Sequence, residues 1–162
     1  MTIPASTVPA VKAFLAAAIA TQVADTTVAV SNGEPPPQNV ALDTIFVGDV
    51  HRDLLPGAVV GSGGAGWLEE RYTVFVTTQV YRGDADAVTA DTRAYLLAFA
   101  VEAAVRNDPS LGGLVQEARP VSSVEYTEWV PPIQTTRSAG RGVGAKSRVV
   151  KITTGVLCQV LI

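Results

Sequence analysis

The clearest pattern lies between Glu69 and Tyr81. Tyr72, Val74, Val76, Thr78 and Val80 alternate with Arg71, Thr73, Phe75, Thr77 and Gln79. A period of two predicts a strand with one face on a core. Val150, Ile152, Val156, Cys158 and Val160 repeat that period and predict a long closing strand over Val149–Ile162. Between the two strands the period changes. Ala87, Ala90, Ala94, Leu97, Val101 and Val105 recur at spacings of three and four. Ala85–Arg106 therefore reads as a helix, with Asp84 as its N-cap and small residues that allow close packing on a sheet. Val11, Phe14, Leu15, Ala18 and Ile19 recur in the same way, and Pro9 suits a first helical turn, so an earlier helix is expected to run to about Ala24. Thr26–Val30 and Thr44–Val50 read as strands. Val115–Tyr126 reads as a strand whose Pro120 points to an edge position or a bulge.

The connections carry their own signals. In "NDPSLGGLV", Asn107 to Val115, Pro109 disfavours helical geometry at Asp108, so the second helix must stop near Asn107. Gly112 and Gly113 then let the chain turn, with Leu111 and Leu114 tucked beneath as anchors. Ser31–Asn39 holds a rigid proline segment, and His51–Gly66 reads as a loose stretch. Pro131–Ser147 reads as a flexible, Gly-rich basic loop. The order is helix, two strands, long strand, helix, two strands. It predicts an α+β fold: a mainly antiparallel or mixed sheet of four to five strands, two helices on one face, and one domain over residues 1–162.

Composition narrows the class. Only 17% of the chain is charged, which is a folded composition. The net charge of −3 hides an asymmetry: after Glu128 there are only cations, so the final 34 residues carry +5 and the first 128 carry −8. The single cysteine, Cys158, has no internal disulfide partner and reads as a buried thiol. No stretch reaches the roughly 20 apolar residues that span a bilayer. "AFLAAAIA", Ala13 to Ala20, has only Lys12 as a positive flank and falls at helical spacing, so it reads as an amphipathic helix rather than an export signal.

Candidate chemistry is sparse. "GSGGAG", Gly61 to Gly66, is followed by Trp67 and a strand, whereas a phosphate loop requires a helix N-terminus. His51 is the only histidine. With Asp49 and Asp53 it makes at most a small carboxylate–imidazole site, and a solvated loop is the simpler reading. Glu69–Glu70 and Asp84/Asp86 are carboxylate pairs, the latter better explained by helix capping. "RGD", Arg82 to Asp84, matches an adhesion tripeptide too short to be specific. No catalytic, metal-ligating or cofactor-binding set emerges. Arg137, Arg141, Lys146 and Arg148 form a basic stretch without interleaved aromatics. It is a candidate for diffuse attraction to phosphate or to an acidic protein surface, or simply a solvated segment.

Trp67, "EERYTVFVTTQVYRGDADA" (Glu69 to Ala87), "YLLAFAVEAAVRNDPSLGGLV" (Tyr95 to Val115), "PVSSVEYTEW" (Pro120 to Trp129) and the final strand together resemble the tail terminator proteins of long-tailed bacteriophages. The shared features are a Trp followed by an acidic strand start, an A-V-E-x-A helix, a D-P-x-L-G-G turn and an E-Y strand. The resemblance covers about the C-terminal two-thirds of the chain. It implies a structural protein, without catalysis or cofactor, that forms a homohexameric ring on the tail tube. That ring would stop tube polymerisation and present a surface to a head-completion or stopper protein. DNA would pass through its lumen, and Arg137, Arg141, Lys146 and Arg148 would line the lumen or touch a partner. Such a protein assembles in the host cytoplasm, ends in the virion at the head-proximal end of the tail, and involves no membrane. Other neck proteins, such as head-closure or minor tail proteins, share such patterns. A small enzyme or ligand-binding domain built on His51 and Gly61–Gly66 is the reading from a different class.

Overall fold

The computed structural model describes residues 6–36, 42–55, 69–83, 87–129 and 147–161. Helix α1 is Val8–Val23, followed by strands β1, Val28–Asn32, β2, Asp43–Leu55, and β3, Glu69–Gly83. Helix α2, Ala87–Asn107, precedes β4, Glu117–Trp129, and β5, Ser147–Leu161. The strands form one sheet in the order β1-β2-β3-β5-β4. β1 runs parallel to β2, and every other neighbour is antiparallel. α1 lies over β1 and β2, and α2 over β3, β5 and β4. The fold is α+β, with a mixed five-stranded sheet and two helices on one face.

The core follows from the alternation. Opposite one another in β3 and β5 stand Tyr72 and Cys158, Val74 and Val156, Thr78 and Ile152, and Val80 and Val150. All of these are buried. α2 closes over them with Ala90, Ala94, Leu97, Val101 and Val105, and α1 with Val11, Leu15 and Ile19. Alanines on the α2 stripe let the helix backbone sit close to the sheet.

All five strands shift from their expected bounds, and two of the shifts have a visible cause. β1 begins at Val28 rather than Thr26, because the Asp25 carboxylate accepts hydrogen bonds from the Thr27 N–H (2.9 Å) and hydroxyl (2.7 Å) and holds a turn there. β2 continues through His51 to Leu55, where the sequence suggests a loose stretch. The cause is a bulge. Val47 pairs with Val76 and Val50 with Val74, so one extra residue of β2 is accommodated. The apolar alternation changes phase across Gly48 and Asp49, and a phase change reads as irregularity. β4 is an edge strand with a break in register between Pro120 and Val124, as Pro120 suggests.

The turn after α2 explains its own sequence. The Asp108 carboxylate accepts from the Ser110 N–H (3.2 Å), the Ser110 hydroxyl (2.7 Å) and the Gly112 N–H (2.8 Å). These bonds, that of the Ser110 hydroxyl first, hold the Asp108 carboxyl below its ordinary value. Leu111, Gly112 and Gly113 all take positive φ, at 47°, 69° and 80°. Leu111 is fully buried. A Cβ at Gly112 would lie 2.8 Å from Cε2 of Phe14, so the turn packs its bare backbone on a ring from α1.

Candidate assembly surface

An amphipathic helix has one apolar stripe, but α2 is apolar on both sides. Opposite its buried stripe, Val88, Tyr95, Leu96 and Phe99 are 67%, 54%, 60% and 62% exposed. Thr89 and Thr92 share the exposed side, and no fully exposed position between Val88 and Phe99 is charged. Asp91 and Glu102 flank this face half-buried, and Arg106 donates to Glu102 at 2.9 Å. Two half-exposed aromatics with Leu96 and Val88 present roughly 400 Å² of apolar surface, the size of a functional patch. A helix that is apolar all round belongs in a packed environment.

The sequence carried a signal for this face. "YLLAF", Tyr95 to Phe99, is five consecutive apolar residues. Five residues sweep about 400° around a helix, so no single buried side can hold them all. The repeat at spacings of three and four draws attention to Leu97 and away from its neighbours.

The residues singled out by sequence are scattered. Arg137, Arg141 and Lys146 lie outside the described residues, as do Gly61–Gly66, Asp84 and Asp86. Arg148 stands in β5 opposite Arg82 of β3. His51 projects from β2 with Nε2 3.5 Å from Oδ1 of Asp53, and both side chains are more than two-thirds exposed. Cys158 is buried, and burial pushes its thiol up to about 12, which leaves it unreactive. The Arg of the "RGD" tripeptide is already engaged: Arg82 donates to both Asp43 carboxylate oxygens, at 2.5 and 3.0 Å. Among the described residues no group of three or more His, Cys, Asp or Glu could hold a metal ion. None of their helices is long and apolar enough to cross a membrane.

Two polar clusters fasten the elements. In the first, Asp43, only 4% exposed, accepts from Arg82 and from Arg93 Nε at 2.8 Å. Arg93 also reaches Asp25 at 2.7 Å. α2 is thereby tied to the starts of β1 and β2 and to the end of β3. Burial alone would raise the Asp43 carboxyl, but the bonds from Arg82 and Arg93 outweigh it and hold it below its ordinary value. At Asp25 the Thr27 hydroxyl, and then Arg93, bring the carboxyl down to about 2. In the second cluster, fully buried Glu70 pairs with Arg52 and accepts from the Ser6 hydroxyl at 2.8 Å. Beside it the Tyr72 hydroxyl meets that of Thr7 at 2.7 Å, and burial pushes the Tyr72 phenol up to about 12.

The first cluster gives stability a defined pH dependence. Asp25 and Asp43 have folded-state pKa values below their unfolded value of 3.8. Their contribution is complete above that value and is lost as pH falls through the folded values. The urea midpoint should therefore hold from neutral pH to about 5 and fall between about pH 4 and 2. Asp43→Asn should lower the midpoint at pH 7 and flatten the acid limb. An unchanged acid limb in that variant would remove the network as its source.

No protein-family model matches the chain, and no curated protein matches it. Among solved structures the chain is similar to the sheath/tube terminator of an extracellular contractile injection system, PVC, in its extended state. The identity is 16% and the TM-score 0.46, over 99% of this chain and 58% of that one.

Proposed function

We propose that this chain is a structural protein of a phage-type tail. It assembles into a ring on the head-proximal end of the tail tube, ends tube polymerisation and offers the surface to which a head joins. The observation that carries the reading is the outer face of α2, which displays Val88, Tyr95, Leu96 and Phe99 with no charge among the exposed positions from Val88 to Phe99. Such a face fits a permanent contact better than a solvated surface. The motifs that resemble tail terminators support the same reading, because they have structural work here. Glu70 is clamped in the core, and the D-P-S-L-G-G turn seats Phe14 on bare backbone.

The mechanism is interface geometry without catalysis or cofactor. Copies of the chain, six in the expected ring, meet the tube protein on one side and a head-completion protein on the other, and DNA passes through the lumen. Arg137, Arg141, Lys146 and Arg148 contribute to the lumen or to a partner contact, where a sparse positive charge tolerates a passing polyanion without trapping it. The test is deletion of the gene. Without the protein, infected cells should accumulate headless tails of abnormal length. Tails of normal length beside leaking heads would replace this reading with a head-closure role.

A further inference from the structure

We infer that, in the free protein, the outer face of α2 docks on the same face of a second copy, with the two helices antiparallel about a two-fold axis at Phe99. This rests on the face itself and not on the ring reading.

The order of side chains along the face selects its own copy. Of the five exposed large hydrophobic residues among those described, Val88, Tyr95, Leu96 and Phe99 stand here, and the fifth is Leu42. The apolar match for this face on a second copy is therefore the same face. Three charges border the apolar centre. Asp91 lies on its N-terminal half, and Glu102 and Arg106 lie beyond its C-terminal end. Arg93 turns away to Asp25 and Asp43, and Asp108 is engaged in its own turn.

Asp91 and Arg106 are about four turns apart and within about 60° of one direction around the helix axis. Reversing one helix against the other about a point between Ala98 and Phe99 brings Asp91 level with the partner's Arg106, and the two-fold axis repeats that contact. Arg106 already donates to Glu102 at 2.9 Å, and its guanidinium has donors for a second carboxylate. The same register sets Phe99 against the partner's Phe99. It also lays Leu96 over the partner's Ala100 and the partner's Ala103, where small half-buried residues leave room for a large one. A parallel pair would align Asp91 with the partner's Asp91 and Arg106 with the partner's Arg106. The charge order thus fits a second copy, and fits it in one direction.

The size suits a reversible pair. Two apolar patches of roughly 400 Å² with their polar margins come to roughly 1,200 Å², the lower end for specific interfaces. A two-fold contact closes on itself and does not propagate. It covers the apolar face of the free protein without starting a larger assembly, and the face becomes available again when the pair opens.

Charge reversal tests the pair. Asp91→Arg and Arg106→Asp should each weaken dimerisation about 100-fold, since each sets like charges together at two places. Mixed in equal amounts, the two chains should dimerise about as tightly as wild type, because every reversed residue then meets its opposite. Light scattering over a concentration series reads the association, and circular dichroism checks the fold of each chain. A mixture no tighter than its components would overturn the inference, as would a wild type that is monomeric at every concentration. A wild type that forms only larger oligomers, untouched by either reversal, would overturn it and leave the ring reading standing. Cysteine trapping decides the matter even if a reversed chain fails to fold. Phe99→Cys should oxidise to a linked dimer, whereas in Val88→Cys the two thiols lie about 30 Å apart and should not join. The native Cys158 is buried and does not compete. Equal trapping at both positions would overturn the antiparallel register. Loss of the ring reading in the gene-deletion test would leave the pair untouched.

Discussion

Leu97→Asp should abolish the folded state, whereas Leu96→Asp, one residue earlier, should leave it intact. Leu97 is 4% exposed beneath α2, among Ala94, Val101 and the β-sheet, and Leu96 is 60% exposed on the far side. An aspartate at 97 gives up the transfer energy of a buried leucine. It also sets a carboxylate among aliphatic side chains with no designed partner. Burying an unpaired charge costs several kcal/mol, and the protein would shed the cost by unfolding or by protonating the group. Whole-domain stability is itself only about 5–15 kcal/mol, so one such substitution consumes most of it. At 96 the same aspartate stays in water and costs a few tenths. Far-ultraviolet circular dichroism with a urea titration separates the outcomes. A cooperative transition in Leu97→Asp near the wild-type midpoint would mean that α2 is not packed on this sheet as described.

The same contrast marks what was legible in the sequence. Where one face of an element meets the core and the other meets water, periodicity revealed it. β3 and β5 were readable because their even-numbered residues face the helices without interruption from Tyr72 to Val80 and from Val150 to Val160. The inner stripe of α2 followed from the same rule, and Pro120 signalled an edge position or a bulge in β4, which has both. What stayed hidden depends on pairs distant in sequence. The bulge at Gly48 and Asp49 erased the alternation that would have extended β2. Asp43, Arg82 and Arg93 meet from three separate elements, and nothing in their spacing announces it. Gly112 reads as a turn residue, and it is one, but the nearby ring of Phe14 is nearly a hundred positions away. The outer face of α2 was written in "YLLAF" and masked by the stronger signal of the core stripe.

Glu70 illustrates the second kind of information and supports the other large expected effect. Read along the chain, it is half of a carboxylate pair at a strand start. In the fold it is fully buried, with one carboxylate oxygen held by Arg52 and Ser6, while Oε2 has no hydrogen-bond partner among the described residues. Removing the cation while leaving the anion is the costly change. Arg52→Met should destabilise the protein by about 3 kcal/mol, because a buried charge is left without its counter-ion. Part of the Arg52 side chain is in water, which places the expectation at the lower end of the range for buried pairs. The double variant Arg52→Met, Glu70→Leu should recover most of that loss, since two apolar side chains of similar volume replace an imperfectly satisfied pair. Urea denaturation of the four chains in the cycle gives the coupling energy. If the double variant is as unstable as the sum of the two single variants, the ion pair is not what Arg52 contributes. Its packing over the sheet would then have to account for the loss.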